Sequence, residues 1–252
     1  MNQQLLTDPT SLAILCVGLI LGGMIKGATG AGLPIIAVPF IASVFDIRVA
    51  VILLVVPNFF TNIWQMVKYR PHNTEPELAA RFALYGAAGA IIGTSLLAVA
   101  PTTGLSLLAA FTVIFYVGLR LVKPSFKLPL ETAKRRVNLV GVVAGSLQGA
   151  IGLSGPASIT FLHSIHIGRE TFIYTISVFF AMMSVIQVPV QLVLGLATVK
   201  LFLLSTLALI PITIGLFVGH WLGKKMNSAH FDRTILCLLI LLALKMFRDA
   251  LV

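Results

Sequence analysis

One lysine stands inside an otherwise apolar stretch. It is Lys26, in Gly23-Met24-Ile25-Lys26-Gly27-Ala28-Thr29-Gly30-Ala31-Gly32-Leu33-Pro34. An ammonium group at membrane depth is expensive unless paired or hydrated, so it marks a functional position by default. The bland alternative is a lysine snorkelling to an interface. The stretch returns, altered, as Gly145-Ser146-Leu147-Gln148-Gly149-Ala150-Ile151-Gly152-Leu153-Ser154-Gly155-Pro156. Gly23, Gly27, Gly30 and Pro34 recur at one offset of 122, close to half the chain, and Lys26 becomes Gln148. A frame of glycines and proline repeated at a single offset points to duplication.

The chemistry this suggests is anion binding. Proline is well tolerated in the first turn of a helix, because its missing N–H would have no intrahelical partner there. Half-helices are therefore expected to begin near Leu33 and near Gly155, with their N-termini deep in the membrane. Such an end exposes free N–H groups and the positive end of the helix dipole, which together attract anions. Lys26 would add charge, Gln148 a neutral donor to an oxyanion, and Thr29 and Ser154 hydroxyls. Gly27, Gly30, Gly32, Gly149, Gly152 and Gly155 would let backbone approach the ligand closely. Asn58, Asn62 and Gln65 share one helical face, as do Gln187 and Gln191 in the matching span. They are candidates to line a pathway; the plainer role is interhelical hydrogen bonding worth about 0.6–2 kcal/mol each.

The elements that must position these residues follow from composition. Of 252 residues 58% are hydrophobic and 10% charged, against about 25% charged in a soluble domain. The apolar segments run roughly over 11–44, 49–67, 82–100, 105–122, 137–165, 172–195, 201–222 and 234–251, and a span needs about 20 residues. The chain reads as an all-α polytopic membrane protein, since a barrel would alternate over short segments. The net charge of +10 sits mostly in short loops, where orientation signals belong, so nucleic acid is not an expected partner. Cys16 and Cys237 lie in apolar runs and form no disulfide or zinc pattern. Met1 to Thr10 carries no Lys or Arg, unlike the n-region of a signal peptide, so the segment is read as mature protein.

The first and fifth segments are too long for one crossing and are interrupted by glycines. If each crossed once, Lys123 to Arg136 and Lys224 to Arg233 would fall on opposite faces, against the positive-inside rule. If each is a hairpin, twelve basic loop residues share one face against Arg48 and Lys200 on the other, with Arg248 as a third. The hairpin arrangement is preferred over single long helices. It implies two inverted-topology repeats, residues 1–126 and 127–252, each a broken or re-entrant helical hairpin plus three transmembrane helices. Gln65 then aligns with Gln187 and Gly93 with Gly215; Arg120 and Lys245 match only after a small shift in register. Inverted repeats are common in secondary transporters, with the substrate site at the midplane.

Every carboxylate lies at a loop or segment end, which argues against a proton relay or sodium site built on Asp or Glu. An anion leaving an inside-negative cell gains about 2.3 kcal/mol per charge per 100 mV, so export needs no coupling ion. His163 and His166 are expected to pack at an interface. Pro57, Pro189 and Pro211 fall inside spans and should kink them. Gly86, Gly89, Gly93, Gly215, Gly219 and Gly223 are spaced for close helix packing.

On these residues the chain resembles the sulfite exporter TauE/SafE family of membrane permeases. The likeness rests on Gly27-Ala28-Thr29-Gly30 with Pro34, on Gly149-Ala150-Ile151-Gly152 with Pro156, and on Pro57-Asn58 to Asn62-Ile63-Trp64-Gln65. It implies transport of small sulfur-containing or carbon oxyanions such as sulfite, sulfonates or sulfoacetate. Ser154 stands where members often have a further glycine.

A rival likeness is to rhomboid intramembrane proteases, through Gly152-Leu153-Ser154-Gly155 and through Gly215-x-x-x-Gly219-His220-x-x-Gly223. A dyad of Ser154 and His220 would be needed, yet no His-x-x-x-Asn occurs, and a protease has no use for the duplicated frame. A passive anion channel is the other alternative. The expectation is a multi-pass permease of the cell membrane, not an enzyme, without cofactor or metal. Its partners would be a small anion and the bilayer, and a homodimer is compatible with it. Loops 68–81, 123–136 and 223–233 would be cytoplasmic, and the anion would bind between the glycine-rich tips under alternating access.

Overall fold

Glycine and proline decide where the two long apolar runs turn. The computed structural model describes the backbone of residues 8–122, 127–225 and 228–251, with side chains except at 224, 225, 228–235 and 251. Lys123 of the basic loop, the side chains of Lys224, Lys225 and Arg233, and residues 1–7 fall outside the described residues. Helix α1 (Pro9–Thr29) opens on Asp8, whose carboxylate accepts from the Ser11 N–H at 2.8 Å. It stops at Gly30, which is left-handed at φ 85° and returns its N–H to the Lys26 carbonyl at 2.8 Å. Only glycine enters that conformation without strain. Gly32, at φ 96°, starts α2 (Leu33–Ala42) with Pro34 in its first turn. The second run repeats the device: α7 (Leu130–Ile151) ends at Gly152, φ 71°, and α8 (Gly155–Ile165) carries Pro156 in its first turn. Ten residues of helix reach about 15 Å, so α2 cannot cross a bilayer. Both runs are a long helix, a turn and a half-helix.

Two further helices are broken, each three residues before a proline. Between α3 (Ile47–Leu53) and α4 (Val55–Tyr69) the break is at Leu54, ahead of Pro57. Pro57 lacks the N–H that would reach the Leu53 carbonyl. The Ser205 hydroxyl donates to that carbonyl at 2.7 Å and accepts from the Val56 N–H at 3.2 Å, bridging the gap. Between α10 (Val199–Leu207) and α11 (Leu209–Lys225) the break is at Ala208, ahead of Pro211. Helix α9 (Arg169–Val193) keeps its helical course through Pro189, so the third proline makes no break. The remaining helices are α5 (Pro76–Val99), α6 (Thr102–Val122) and α12 (Ser228–Leu251). With each broken pair counted once, six segments among the described residues are long and apolar enough to cross a membrane: Pro9–Thr29, Ile47–His72, Pro76–Val99, Thr102–Val122, Arg169–Val193 and Val199–Gly223. The outside is apolar, with Val67, Leu84, Val99, Phe111, Val193 and Phe217 among the exposed large side chains. That is the surface a bilayer requires.

The glycine rows bring backbones together. A Cβ at Gly89 or Gly93 would strike the carbonyl of Val142 or Ser146, and one at Gly145 or Gly149 that of Gly86 or Ala90. So α5 and α7 pack backbone to backbone. In the same way Gly23 and Gly27 meet Ile212 and Leu216, while Gly215 and Gly219 meet Ile20 and Met24, joining α1 to α11. In both seams a helix of one half of the chain is bound to a helix of the other. Helix α12 lies against α6 and α2, and Lys245 donates to the Ser43 carbonyl just past α2 at 2.5 Å.

Polar contacts mark two opposite ends. At one, Lys134 pairs with Glu75 at 3.2 Å, His72 with Glu170 at 3.0 Å, and Arg81 donates to Asn138 at 3.1 Å. These draw the 68–81 loop, the start of α7 and the start of α9 together. At the other, Arg48 holds the α5–α6 turn, donating to the Leu97 carbonyl at 3.0 Å, the Ala100 carbonyl at 2.7 Å and Thr102 at 2.8 Å.

Candidate functional site

Lys26 lies one turn before the first hairpin bend and is 1% exposed. Its Nζ donates to Asn62 Oδ1 on α4 at 2.6 Å. Among the described residues no carboxylate comes within ion-pair distance of it. Asn62 sits about 9 Å along α4 from Lys68 and about 21 Å along α3–α4 from Arg48, so the ammonium is buried well away from both ends. Asn62 Nδ2 donates to the Asn58 carbonyl at 2.6 Å and to Asn58 Oδ1 at 2.8 Å. Asn58, Asn62 and Gln65 are all buried, and Gln65 Oε1 accepts from Ser177 on α9 at 3.2 Å.

The second bend supplies the facing groups. Gln148, one turn before it, accepts at Oε1 from the Ser154 hydroxyl at 3.0 Å, and Ser158 donates to the Ser154 carbonyl at 2.9 Å. Asn58, Gln148, Gln187 and Gly152 then converge on a void of about 10 Å³, closed by Pro34, Val38, Val51, Leu54 and Val55. The void admits at most one water. Gln187 and Gln191 are both buried; neither polar atom of the Gln191 amide has a partner among the described residues, and the hydroxyls of Thr94 and Thr175 are in the same position. A belt of uncharged polar side chains and one cation thus crosses an apolar interior.

A larger space lies on the other side of the first bend. A cavity of about 220 Å³ is lined by Thr29, Ala31, Gly32, Tyr116, Arg120, His163 and Phe172, with Ile25, Ile35, Ile159 and Leu236. The His163 ring lies 4.5 Å from that of Phe172. At about 30 Å³ per water, the cavity has room for a small oxyanion with part of its hydration shell. A separate crevice joins Gly27, Gly30 and Gln65 to Lys68, Tyr69, Arg169 and His220, and Arg169 reaches the Ala28 carbonyl at 3.4 Å.

The residues expected from the sequence therefore fall mainly in three places, with three others apart from them. Lys26, Asn58, Asn62, Gln148, Ser154, Gln187 and Gly152 join in the belt around the small void. Thr29 and Gly32 face the large cavity, although Thr29 also spends its hydroxyl within the bend, on the Ile25 and Ala31 carbonyls. Gly27, Gly30 and Gln65 face the crevice, and Gly27 and Gly149 also serve the helix seams. Gly155 packs against Ile35, and Gln191 lies farther along α9. Ser154 bonds Gln148 and Ser158, while His220 lines the crevice at the other bend, so the serine–histidine dyad is not assembled. Sequence reasoning named Arg120 and His163 separately but did not group them with Tyr116 around one cavity, and it did not single out Ser205. Arg120 and Lys245 had a signal: cations at matching places within the last span of each half.

The sulfite exporter TauE/SafE family model matches residues 14–246. Neither the curated proteins nor the solved structures with which the chain was compared gave a match.

Proposed function

The chain belongs to the sulfite exporter TauE/SafE family, whose members are membrane transporters and not enzymes, and from that premise we propose that it carries small sulfur-containing oxyanions through the polar belt between its two hairpin bends. Sulfite, sulfonates and sulfoacetate are the substrates meant. The observation that carries this reading is Lys26: a buried lysine whose partner is an amide oxygen, with no carboxylate within ion-pair distance among the described residues, bears its positive charge unneutralised whenever it is protonated. Such a charge is costly unless something of opposite sign visits it. A permeating anion is that visitor.

The two halves, 1–126 and 127–252, act as inverted repeats, each a hairpin plus three crossings. The contacts of the 68–81 loop with the starts of α7 and α9, opposite the Arg48 cluster, support this. The basic loops 68–81, 123–136 and 223–233 are then cytoplasmic. The Arg120 cavity is the cytoplasmic waiting room for the anion, and Thr29 and Gly32 form its inner wall. Rocking of one half on the other passes the anion from there to the belt and out. The contrast between a cavity of about 220 Å³ and a void of about 10 Å³ favours a carrier over an open channel.

The test is thermal shift of the purified protein with sulfite, sulfoacetate, taurine, thiosulfate, sulfate and acetate, followed by counterflow in proteoliposomes. At least one sulfur oxyanion is expected to stabilise the wild type, to fail with Lys26→Ala, and to show saturable counterflow. Unsaturable flux would identify a channel. No stabilisation and no flux with any of the six would refute the substrate class.

A further inference from the structure

We propose that Lys26 acts on the anion through two amides rather than by touching it, and that the void at the second bend is an oxyanion subsite lined by the N–H donors of Asn58, Gln148 and Gln187. This deepens the site described above and rests on that reading. The argument is one of hydrogen-bond direction. An ammonium group can only donate and a backbone carbonyl can only accept. The Asn62 atom 2.6 Å from Lys26 Nζ must therefore be its oxygen, and the atom 2.6 Å from the Asn58 carbonyl must be its nitrogen. Two independent partners dictate the same orientation. Because the nitrogen of Asn62 also meets the Asn58 side chain, at 2.8 Å, Asn58 must offer its oxygen there. Its own Nδ2 is left over. Among the described residues that group has no partner, and Asn58 lines the void.

The second bend completes the pattern from the opposite side. Ser154 occupies the oxygen of Gln148 at 3.0 Å, leaving the Gln148 amide nitrogen as the group still able to bond. Gln187 is 2% exposed, lines the same void and makes no hydrogen bond among the described residues. Two of three converging amides thus have their oxygens engaged elsewhere, and the third is uncommitted. Two committed donors and one amide free to turn its N–H inward suit a ligand that only accepts, which is the head of a deprotonated sulfite or sulfonate. They disfavour a cation or a hydroxyl-bearing neutral solute. The orientation starts at Lys26, so its charge is felt as a fixed direction of two amide dipoles. Filling the void requires its walls to part, and Leu54 and Val55, at the break in α3–α4, are among them.

The experiment measures sulfite affinity of the full-length protein in detergent, together with its melting temperature without ligand. Asn62→Asp is nearly isosteric and gives Lys26 a carboxylate, but a carboxylate cannot donate to Asn58. The melting temperature is expected to hold or rise while sulfite binds about ten-fold or more weakly. Asn58→Leu removes the donor and leaves Lys26 in place, with a similar loss expected. If Asn58→Leu binds like the wild type while Lys26→Ala does not, the lysine touches the anion and the relay is wrong. If both amide variants bind like the wild type, the void is not a subsite, yet the transporter reading stands. A wild type that binds none of the six anions overturns both.

Discussion

The two hairpin bends solve one problem with different atoms. Each stops a long helix at a left-handed glycine and starts a half-helix on a proline, yet the first uses two left-handed glycines and the second only one. At the place of Gly32 (φ 96°) the second bend has Ser154 at φ −92°. A side chain does not sit easily at the first value, so the second chain path had to change for a hydroxyl to be admitted. That hydroxyl binds Gln148, which stands where the first bend has Lys26. One bend keeps charge and a bare turn; the other keeps amides and a hydroxyl that orients them. The shared frame of glycines and proline keeps the shape of the bend while its polar atoms differ.

The comparison breaks most severely if charge changes sides. The double variant Lys26→Gln with Gln148→Lys keeps the composition but removes Asn62's cation and places an ammonium against the Ser154 hydroxyl. Sulfite counterflow in proteoliposomes is expected to fall by about 100-fold or more, the scale of about 3 kcal/mol for a charged hydrogen bond; retained flux would show that the two bends are equivalent. Next comes Gly32→Ser, which forces a side chain into the left-handed region and against Ile25. About 1–2 kcal/mol of stability should be lost, read as a lower melting temperature, whereas Ser154→Gly should cost about 1 kcal/mol through the Gln148 bond alone. Equal losses would mean the two turns are strained alike. Ser205→Ala, which uncovers the Leu53 carbonyl, should also cost about 1 kcal/mol and loosen amide protection of residues around Leu54 in hydrogen exchange.

The smallest effect concerns the starts of the two long helices. Helix α1 has Asp8 as its cap, while α7 follows Pro129 with no side-chain cap. Hydrogen bonds from the Ser11 side chain and backbone hold the Asp8 carboxyl below its ordinary value of 3.8. A depressed carboxylate stabilises the fold above the unfolded value and loses that contribution as pH falls through the folded one. Asp8→Asn keeps a cap but cannot titrate. Melting followed from about pH 6 downward should therefore show a small wild-type advantage that shrinks as the pH falls below 3.8; an advantage undiminished by acid would rule out the cap's charge as its source.

Much of this was readable in the sequence because it depends on local backbone rules. Leu33 and Gly155 were expected as half-helix starts from glycine followed by proline, and the helices begin there. The rows from Gly86 and Gly215 were expected to pack closely; Gly89, Gly93, Gly215 and Gly219 meet carbonyls of partner helices, while Gly86 meets the Phe179 ring and Gly223 the backbone of Ala28. Prolines were less informative. Pro57 and Pro211 interrupt their helices and Pro189 does not, a difference the sequence alone does not display. Ser205 could not be connected to Leu53 without the fold, because 152 residues separate them. Arg120, Tyr116 and His163 were not grouped for the same reason: α6 and α8 meet only through tertiary packing. The candidate lysine and amides were picked out individually, but the direction of their hydrogen bonds appears only once Asn62 stands between Lys26 and Asn58.

The seams between α1 and α11 and between α2 and α12 bear on how the protein is made. Helix α1 has its main packing partner in α11, which starts at Leu209, and the Ser43 carbonyl at the end of α2 waits for Lys245. During synthesis the glycine face of α1 must therefore stay uncovered in the membrane until α11 has been inserted, although Lys26 meets Asn62 as soon as α4 is in place. A chain truncated before α11 lacks the partner of that glycine face and should be a substrate for membrane quality control.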